Sequence, residues 1–376
     1  MALDVQRYRA QFPVTQSSIY MNHAAVSPLS RRVRDAMVGL LDDVHHSGVE
    51  HWDQWVQTYD AGRRSLARLL NADPGEIAFT KNTSEGVCTF ANGLEWKPGD
   101  EIVSIEGEFP SNFYAWKALE KRGVILRLVC PERGCVSQEA IVAALTSRTR
   151  VVAVSFVHYL SGFRLDFERL GPACAAQGCL LFVDAIQGLG AFPLDVKAAQ
   201  IAGLAADGHK WLLGPEGAGM LYVNRQVMDR VTPTEVGWWN VRRWADFASR
   251  ELAWRDDARR YECGTLNTVG FYGLGAAVNL LLEVGIPKIA ERVLDLTDRL
   301  RAGLLAQGHS VFGPQTRQDG SGIVSFVPRR GTAEGLLERY AAQRVQVAAR
   351  GGMVRISPHF YNTDEEIDRV LSVATF

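Results

Sequence analysis

Seven short apolar runs alternate with amphipathic stretches between residues 76 and 224. The runs are continuously apolar rather than strictly alternating, which is typical of strands that are buried on both faces of a sheet. They are IAFT (77–80), EIVSI (101–105), VILRLVC (124–130), RVVAVSFV (150–157), CLLFVDA (179–185), GLAAD (203–207) and GMLYVN (219–224).

The stretches between the runs have the apolar spacing of helices, as in SNFYAWKALEKRG and SQEAIVAALTSR. Alternating strands and helices predict an α/β fold, with a seven-stranded, mostly parallel sheet and helices on both of its faces. The run GMLYVN follows the preceding run too closely for a helical crossover, so we expect it to be antiparallel.

After about residue 265 the pattern changes to long helical stretches, followed by the short strands GIVSFV, VQVAA and MVRIS. The last helix begins with a capping box between Thr363 and Glu366. We therefore predict a large α/β domain over residues 16–280 and a small α+β C-terminal domain over residues 281–376. The N-terminal segment 1–15 is predicted to join the small domain.

Composition narrows the choice of partners. The 376 residues are 47% hydrophobic and 22% charged with a net charge of −1, so nothing points to nucleic acid or an anionic membrane surface. No run approaches the roughly 18 apolar residues of a membrane span, and the N-terminus lacks the apolar core of a secretory signal. We expect a cytoplasmic protein. The six cysteines form no CxxC pair, so we expect no metal site.

Three segments follow predicted strands, at the edge where open parallel sheets bind ligands. The first is FTKNTSEGV (79–87), in which Asn82 is a predicted helix cap and Glu85 completes a capping box. The helix start, with the hydroxyls of Thr83 and Ser84, suits a phosphate. An ordinary capped helix explains the same residues.

The other two segments carry a carboxylate and a lysine in apolar surroundings. Asp184 ends CLLFVDA and needs a partner if buried, because an unpaired buried charge is costly. Lys210 lies in DGHK, and a buried lysine tends to lose its proton and become a nucleophile toward aldehydes. A structural ion pair and an exposed turn lysine are the alternatives.

One cofactor makes joint sense of the three segments. Pyridoxal 5'-phosphate has a phosphate for the helix start, an aldehyde for Lys210 and a pyridine nitrogen for Asp184. Such a ring, kept protonated, stabilises a carbanion at the α-carbon of an amino acid.

The segment VDAIQGLGAFPLDV…LAADGHKWLLGPEGAGMLYV resembles the lysine region of the class V aminotransferase family. These are fold-type I pyridoxal-phosphate-dependent transferases, and they include cysteine desulfurases and isopenicillin N epimerase. Further resembling segments are IYMNHAAVSP (19–28), NTSEG (82–86), EGEFPSN (106–112), RYECGTLN (260–267) and VRISPHFYNTDEEID (354–368).

The resemblance implies a role for each matching residue on the cofactor. Lys210 would form the Schiff base, Asp184 would pair with the ring nitrogen, and Phe109 would stack on the ring. The remaining cofactor residues would be Gln187 on the ring oxygen and Thr83, Ser84 and His209 on the phosphate.

On the substrate side, the resemblance implies that Arg355 clamps the substrate carboxylate. Asn22, His23 and Ala24 would line the same side. Thr265 would reach the phosphate from the other subunit, which implies a homodimer with cofactor sites at the subunit interface. The substrate would be a small amino acid.

Departures from the desulfurase pattern bear on the chemistry. Desulfurases carry a histidine where this chain has Phe109 and a serine where it has Asp207, which we expect to point away from the phosphate. Near an asparagine of the desulfurases this chain has His158 and Tyr159, and either is a candidate for the cofactor contact. No cysteine follows Cys263, so persulfide-forming desulfuration is disfavoured.

The remaining reactions all begin when Lys210 removes the substrate's α-proton. Transamination is the first expectation, with β-elimination in a carbon–sulfur lyase and amino-acid epimerisation as alternatives. For five other residues the sequence allows two explanations each. Trp238 and Trp239 either rim the substrate pocket or pack on each other, and Arg242, Arg243 and Arg350 either select an acidic substrate or are solvated.

Two rival classes fit less well. GLAADGHK differs from a phosphate loop, because His209 separates the second glycine from the lysine. A non-catalytic regulator built on the same fold would not need Lys210, Asp184 and Arg355 together. The sequence therefore favours an enzyme.

Overall fold

The structure is a computed structural model and describes residues 3–375. Its helices are α1 Val5–Arg9, α2 Arg31–Ser47, α3 Trp52–Leu70, α4 Thr83–Gly93, α5 Pro110–Lys117, α6 Gln138–Ala143, α7 Phe167–Ala176, α8 Thr268–Val284, α9 Ile286–Ala306, α10 Ala333–Ala342 and α11 Asp364–Ala374. Its strands are β1 Ile19–Tyr20, β2 Ile77–Thr80, β3 Glu101–Ile105, β4 Ile125–Val129, β5 Thr149–Ser155, β6 Leu180–Asp184, β7 Gly203–Asp207, β8 Gly219–Val223, β9 Ser310–Phe312, β10 Val324–Val327, β11 Val345–Gln346, β12 Ala348–Arg350 and β13 Met353–Ile356.

The main sheet has seven strands in the order β2-β8-β7-β6-β5-β3-β4. Strand β8 runs antiparallel to both of its neighbours, and the other pairs are parallel. The predicted α/β fold with a seven-stranded, mostly parallel sheet is confirmed, as is the antiparallel direction of GMLYVN.

Both faces of this sheet are covered, which explains the continuous apolarity of its strands. On β5, Val152 and Val154 belong to the larger core cluster, which includes residues of α3, α7 and α8. Val151 and Ala153 belong to a second cluster, which includes residues of α4 and α5. Alternate residues of one strand therefore pack against different helical layers.

Strand β4 departs from the predicted burial. It lies at the end of the strand order and pairs only with β3, and Ile125 and Leu128 are each 42% exposed. The prediction that this run is buried on both faces is wrong for this strand, because an edge position leaves the strand partly uncovered.

A second sheet has the antiparallel order β12-β13-β10-β9, and α9, α10 and α11 pack near it. The predicted single strand VQVAA is two strands in the structure. Val345–Gln346 pairs with β1 near the N-terminus, and Ala348–Arg350 pairs with β13. The capping box of Thr363 and Glu366 is confirmed at the start of α11.

The N-terminal segment contacts the C-terminal region. Arg9 forms an ion pair with Glu366 at 2.7 Å and donates a hydrogen bond to the carbonyl of Tyr361. The proposed domain bounds of 16–280 and 281–376, with 1–15 joined to the small domain, stay a prediction. Residues 1, 2 and 376 lie outside the described chain.

Within residues 3–375, no single helix is long and apolar enough to cross a membrane. The pair α8 and α9 meets that criterion only when the two are counted together, and they are bent by 81° at their junction.

Candidate active site

Most of the predicted cofactor residues lie at the carboxyl edge of the main sheet. Asp184 is the last residue of β6, and Asp207, the last residue of β7, precedes Lys210 by three positions. Helix α4 begins after β2, and Phe109 is the N-cap of α5, beyond β3. The parallel strands β3, β6 and β7 end at the same edge, so these side chains lie on one side of the sheet.

Lys210 is buried, with its Nζ 5.3 Å from the centroid of the Phe109 ring. Burial is the main cause that lowers the pKa of the Lys210 amine, and the charges of Arg355 and Arg350 lower it further. The charges of Asp184 and Asp207 act in the opposite direction. An amine held toward its neutral form is suited to attack an aldehyde and to accept a proton from carbon.

Asp184 is 2% exposed, and its Oδ1 accepts a hydrogen bond from the backbone N–H of Ile186 at 3.1 Å. Burial raises the pKa of the Asp184 carboxyl, and the charge of Glu108 adds to that, while Lys210 lowers it. A cationic ring nitrogen is the kind of partner that such a buried carboxylate requires.

The start of α4 offers one buried hydroxyl without a protein partner, that of Thr83. Asn82 caps the helix by accepting from the N–H of Glu85, as predicted. The side chain of Glu85 accepts from the N–H of Lys81 instead of from Asn82, so the predicted reciprocal bond of the box is displaced by one residue. The Thr83 Oγ1 is buried without a hydrogen-bond partner, and the Ser84 hydroxyl donates to Ser111 Oγ at 2.7 Å.

Asp207 turns toward its own loop. Its Oδ1 accepts from the N–H of Gly208 at 2.7 Å, and its Oδ2 lies 2.9 Å from the Nδ1 of His209. The contact to Nδ1 has ion-pair distance but lacks the alignment of a hydrogen bond, so Nδ1 is buried without a hydrogen-bond partner among residues 3–375.

A buried chain of hydrogen bonds joins the segment 22–24 to the site. The Gln187 amide donates to the carbonyl of Ala24 at 3.0 Å and accepts from the indole N–H of Trp211 at 2.9 Å. One N–H of Gln187 remains for another acceptor. Both ring nitrogens of His23 are engaged, with the Ser357 carbonyl and the Tyr361 hydroxyl.

The other predicted substrate-side residues separate into two places. Arg355 lies buried on β13, where it donates to the carbonyl of Tyr159 at 2.8 Å and keeps an Nε without a partner. Burial lowers the pKa of the Arg355 guanidinium to about 10, and Arg350 adds to this. Asn22 instead lines a groove of about 880 Å³ formed with the N-terminal segment, α10 and β11.

His158 and Tyr159, the two candidates for the cofactor contact, differ in their own contacts. His158 has both ring nitrogens near protein atoms, Gly107 O at 2.9 Å and Ser161 Oγ at 3.0 Å. The ring of Tyr159 meets Phe109 edge-on, with centroids 5.3 Å apart. Of the two candidates, Tyr159 is therefore the one whose ring contacts Phe109.

Thr265 is exposed and shows no contact with the residues of this cluster among those described. It lines a small hollow with Trp52, Tyr59, Trp238 and Trp239, on the aromatic surface that continues to Trp244. Trp238 and Trp239 pack on each other with centroids 5.0 Å apart, which agrees with the packed-pair alternative.

The sequence reasoning missed Glu108. This acid is buried, accepts from the backbone N–H of Ser155 at 2.7 Å and contacts the Ser155 hydroxyl. Burial raises the pKa of its carboxyl. Ser155 pairs with Asp184 across the neighbouring strands β5 and β6. Ser155 therefore links the two buried acids, since Glu108 binds it and Asp184 lies opposite it. The available signal was EGEFPSN, in which a second carboxylate follows a buried strand.

The residues fit pyridoxal phosphate. A buried amine of lowered pKa, an aromatic ring beside it, a buried acid and an unpartnered hydroxyl at a helix start match its aldehyde, ring, ring nitrogen and phosphate. Among the described residues, no group of three or more His, Cys, Asp or Glu side chains is arranged to hold a metal ion.

Fold and site together define an α/β enzyme that depends on pyridoxal phosphate. The sequence profile described as Aminotransferase class-V matches residues 19–370, and the chain belongs to that family. The expected cofactor, pyridoxal 5'-phosphate, is confirmed with it.

Relatives within the family carry different activities. A probable cysteine desulfurase of Methanothermobacter thermautotrophicus is 31% identical over 382 residues, covering 96% of this chain and 94% of the relative. Isopenicillin N epimerase of Streptomyces clavuligerus is 28% identical over 391 residues, with 98% and 96% covered.

A solved structure supports the fold. A mutant of C-DES, with glycine covalently linked to its pyridoxal phosphate cofactor, has a TM-score of 0.92 at 23% identity, covering 98% of this chain and 99% of that one.

Proposed function

We propose that this enzyme removes the α-proton of a small amino acid with Lys210 as the base, and that transamination is its reaction. The observation that carries the proposal is the buried Lys210 amine beside Phe109, with a pKa that burial lowers. Bound pyridoxal phosphate supplies an aldehyde that takes up amines covalently and a ring that withdraws electrons from the substrate's α-carbon.

Each remaining residue has a role in binding or proton transfer. With the cofactor bound, Asp184 would keep a proton on the ring nitrogen and Phe109 would cover the ring. Gln187 would have one N–H left to donate to the ring oxygen. Arg355 binds the substrate carboxylate as a fork, which the unpartnered Nε supports. Lys210 Nζ would take the α-proton and return it to a neighbouring carbon, because it is a buried amine whose pKa burial lowers.

Transamination needs a single base, which Lys210 supplies, whereas epimerisation needs a second group that delivers a proton to the opposite face of the α-carbon. Phe109 has no ionisable proton, so the Tyr159 phenol beside it is the candidate for that second group. His23 and His158 have both ring nitrogens occupied by protein groups.

The second candidate is β-elimination, which Tyr159 supports. Its ring meets that of Phe109 edge-on, with centroids 5.3 Å apart. A phenol there is suited to protonate a leaving sulfur or oxygen at the β-carbon.

Persulfide formation remains disfavoured. The turn between β12 and β13 consists of Gly351 and Gly352 and holds no thiol. Burial raises the pKa of the Cys263 thiol, and its hydrogen bond to Glu235 at 3.3 Å raises it further, so a reactive thiolate is opposed there.

The deciding experiment is a panel of amino acids given to the holoenzyme with and without a 2-oxo acid acceptor. Keto acid formed only with the acceptor supports transamination. Keto acid formed without it, together with sulfide, supports β-elimination, and the D-isomer alone supports epimerisation. Cys263→Ser is the control, since this variant is expected to keep full turnover. A loss of turnover by the variant with cysteine as substrate would restore the desulfurase hypothesis.

We also propose a cytoplasmic homodimer in which Thr265 reaches the partner's phosphate. Three exposed apolar residues, Val236 at 61%, Phe247 at 76% and Leu252 at 63%, support a covered surface. The Phe247 ring packs near Trp238, which lines the same hollow as Thr265. Sedimentation of the holoenzyme should give twice the chain mass. Phe247→Asp should lower that mass, and an unchanged dimer would contradict this surface.

A further inference from the structure

The backbone around Lys210 is held by residues from other parts of the chain. The carbonyl of Lys210 accepts a hydrogen bond from the Ser27 hydroxyl at 2.5 Å, and the carbonyl of His209 accepts one from the Ser27 N–H at 2.7 Å. On the other side, the carbonyl of Trp211 accepts from His359 Nε2 at 3.2 Å. Three successive carbonyls centred on Lys210 are therefore bound from outside their own loop.

The His359 ring is arranged to donate this bond. Its Nδ1 accepts from the backbone N–H of Phe360 at 2.8 Å, so the ring proton lies on Nε2. Burial holds the pKa of the His359 ring well below its ordinary value, so the ring is neutral. Both His359 and Ser27 are buried, and a hydrogen bond that is shielded from water in this way is a firm constraint on the backbone that accepts it.

The loop that carries Lys210 has a conformation that needs such support. Leu213 has a φ of 59°, in the left-handed region that a leucine rarely adopts, and its N–H donates back to the carbonyl of Lys210 at 3.0 Å. A costly backbone conformation persists where the surrounding structure over-determines it. The bonds from Ser27 and His359 supply part of that surrounding structure.

Ser27 and His359 both belong to chain segments that are joined to β13. The carbonyl of Ser357, the residue after β13, accepts from the N–H of His23 at 3.2 Å, and the N–H of Ser357 donates to the carbonyl of Met21 at 2.7 Å. These bonds tie the segment of Ser27 to β13, and His359 follows Ser357 by two positions. The lysine loop is therefore fixed relative to β13, the strand that carries the predicted substrate arginine.

We propose that Ser27 and His359 are positioning residues that fix the backbone of Lys210 and so fix where its amine can reach. This rests on the proposed function, which makes Lys210 the base that takes the α-proton. A lysine amine ends a flexible four-carbon stem, so its reach is only as definite as the backbone that carries it. Misplacing a reacting group by about 1 Å can slow a reaction about a hundredfold, so this anchoring bears directly on the rate.

The first test measures how fast Lys210 reacts with an aldehyde. Full-length protein is freed of cofactor with hydroxylamine and mixed with saturating pyridoxal phosphate, and the growth of the yellow absorbance is followed. Ser27→Ala, which removes only the hydroxyl, should lower the rate constant about tenfold, the effect of losing one buried hydrogen bond. A misfolded fraction would lower the final absorbance and leave the rate constant unchanged, so the rate constant separates positioning from a general loss of stability.

His359 offers a matched pair of variants. His359→Gln keeps a side-chain N–H that can bond the carbonyl of Trp211, whereas His359→Phe keeps a ring without a donor. We expect a rate constant within about threefold of wild type for the first variant and about tenfold lower for the second. Ser65→Ala is the control, because it removes a buried hydroxyl that bonds Asn279 at 2.7 Å between α3 and α8, and it should keep the wild-type rate constant.

Turnover by the holoenzyme gives a second measurement. Ser27→Ala should lower kcat about tenfold and leave KM within about twofold, because the change acts on the base and not on the groups assigned to the substrate. Wild-type values in Ser27→Ala or in His359→Phe would overturn the proposal, and so would the same loss in Ser65→Ala. If Ser27→Ala does not fold, the His359 pair decides alone. Wild-type protein that forms no yellow imine would instead refute the proposed function, whatever the variants do.

Discussion

The proposed cofactor side and the proposed substrate side of the site are built differently. On the cofactor side, Asp184 and Asp207 end central strands of the main sheet, and Lys210 lies in the loop after them; all three are buried. On the substrate side, Arg355 and Arg350 come from the hairpin of β12 and β13 in the second sheet. Arg350 is exposed and has no ion pair within residues 3–375.

The turn of this hairpin consists of two glycines. Gly351 and Gly352 both have positive φ, 57° and 74°, a conformation that favours glycine. The cofactor side is thus held by strand ends with helical layers on both faces, and the substrate side by a short antiparallel hairpin. We infer that shared chemistry resides on the first and substrate choice on the second.

The largest expected effect is at Lys210. Lys210→Ala should abolish the yellow absorbance of the purified enzyme and lower kcat by about a thousandfold, because it removes both the covalent anchor and the base. Absorbance spectra and steady-state rates check this. Lys210→Arg is the matched control: it keeps the charge and is expected to fail equally, so colour in either variant would refute the role.

Asp184→Asn should lower kcat by about a hundredfold, because an amide cannot hold the proton on the ring nitrogen as a carboxylate does. KM is expected to change little, since Asp184 lies on the cofactor side. A KM effect without a kcat effect would contradict the distinction between the two sides. Rates at saturating and limiting substrate measure it.

Arg355→Gln should raise KM about tenfold or more while the yellow colour remains, because the fork to the substrate carboxylate is lost. Arg350→Gln, on the same hairpin but exposed, is the matched variant and should raise KM only a few-fold. A larger effect at Arg350 with an acidic amino acid would assign it to substrate selection. KM values over neutral and acidic amino acids distinguish these results.

The smallest effect concerns pH and stability without cofactor. Burial raises the pKa of Asp184 in the folded chain, so folding favours its protonated form. Its contribution to stability is present below the unfolded pKa, and is lost as pH rises through the raised folded pKa. Cofactor-free Asp184→Asn should therefore exceed wild type in stability at pH 8 by about 1 kcal/mol, with the difference vanishing toward pH 4. Urea unfolding at both pH values tests it, and an equal difference at both would contradict the cause.

Prediction from sequence succeeded where a local pattern has one structural solution. The runs of the main sheet and the antiparallel GMLYVN follow from apolarity and connection length, and Asn82 is the cap of α4 as its residue type suggests. Prediction failed where the burial of a strand depends on which elements pack beside it. The run 124–130 is apolar enough for a central strand, but its position at the sheet edge exposes Ile125 and Leu128.

Within the site, the sequence singled out Lys210 and Asp184 because charge in an apolar run is unusual. It passed over Glu108, whose burial depends on contacts with Ser155, 47 residues away. It also left His158 and Tyr159 undecided, since only the contacts of each ring separate them.

The sequence by itself determined the class of fold, the lysine and acid that suit a pyridine aldehyde, and the absence of a thiol after Cys263, because these depend on residue type and order. Tertiary structure decided which groups face one another: Asp207 against His209, Tyr159 against Phe109, and Arg355 from the second sheet against the main sheet's edge. The physical reason is that proton positions and charge pairing depend on distances of a few ångströms, mostly between residues remote in the chain.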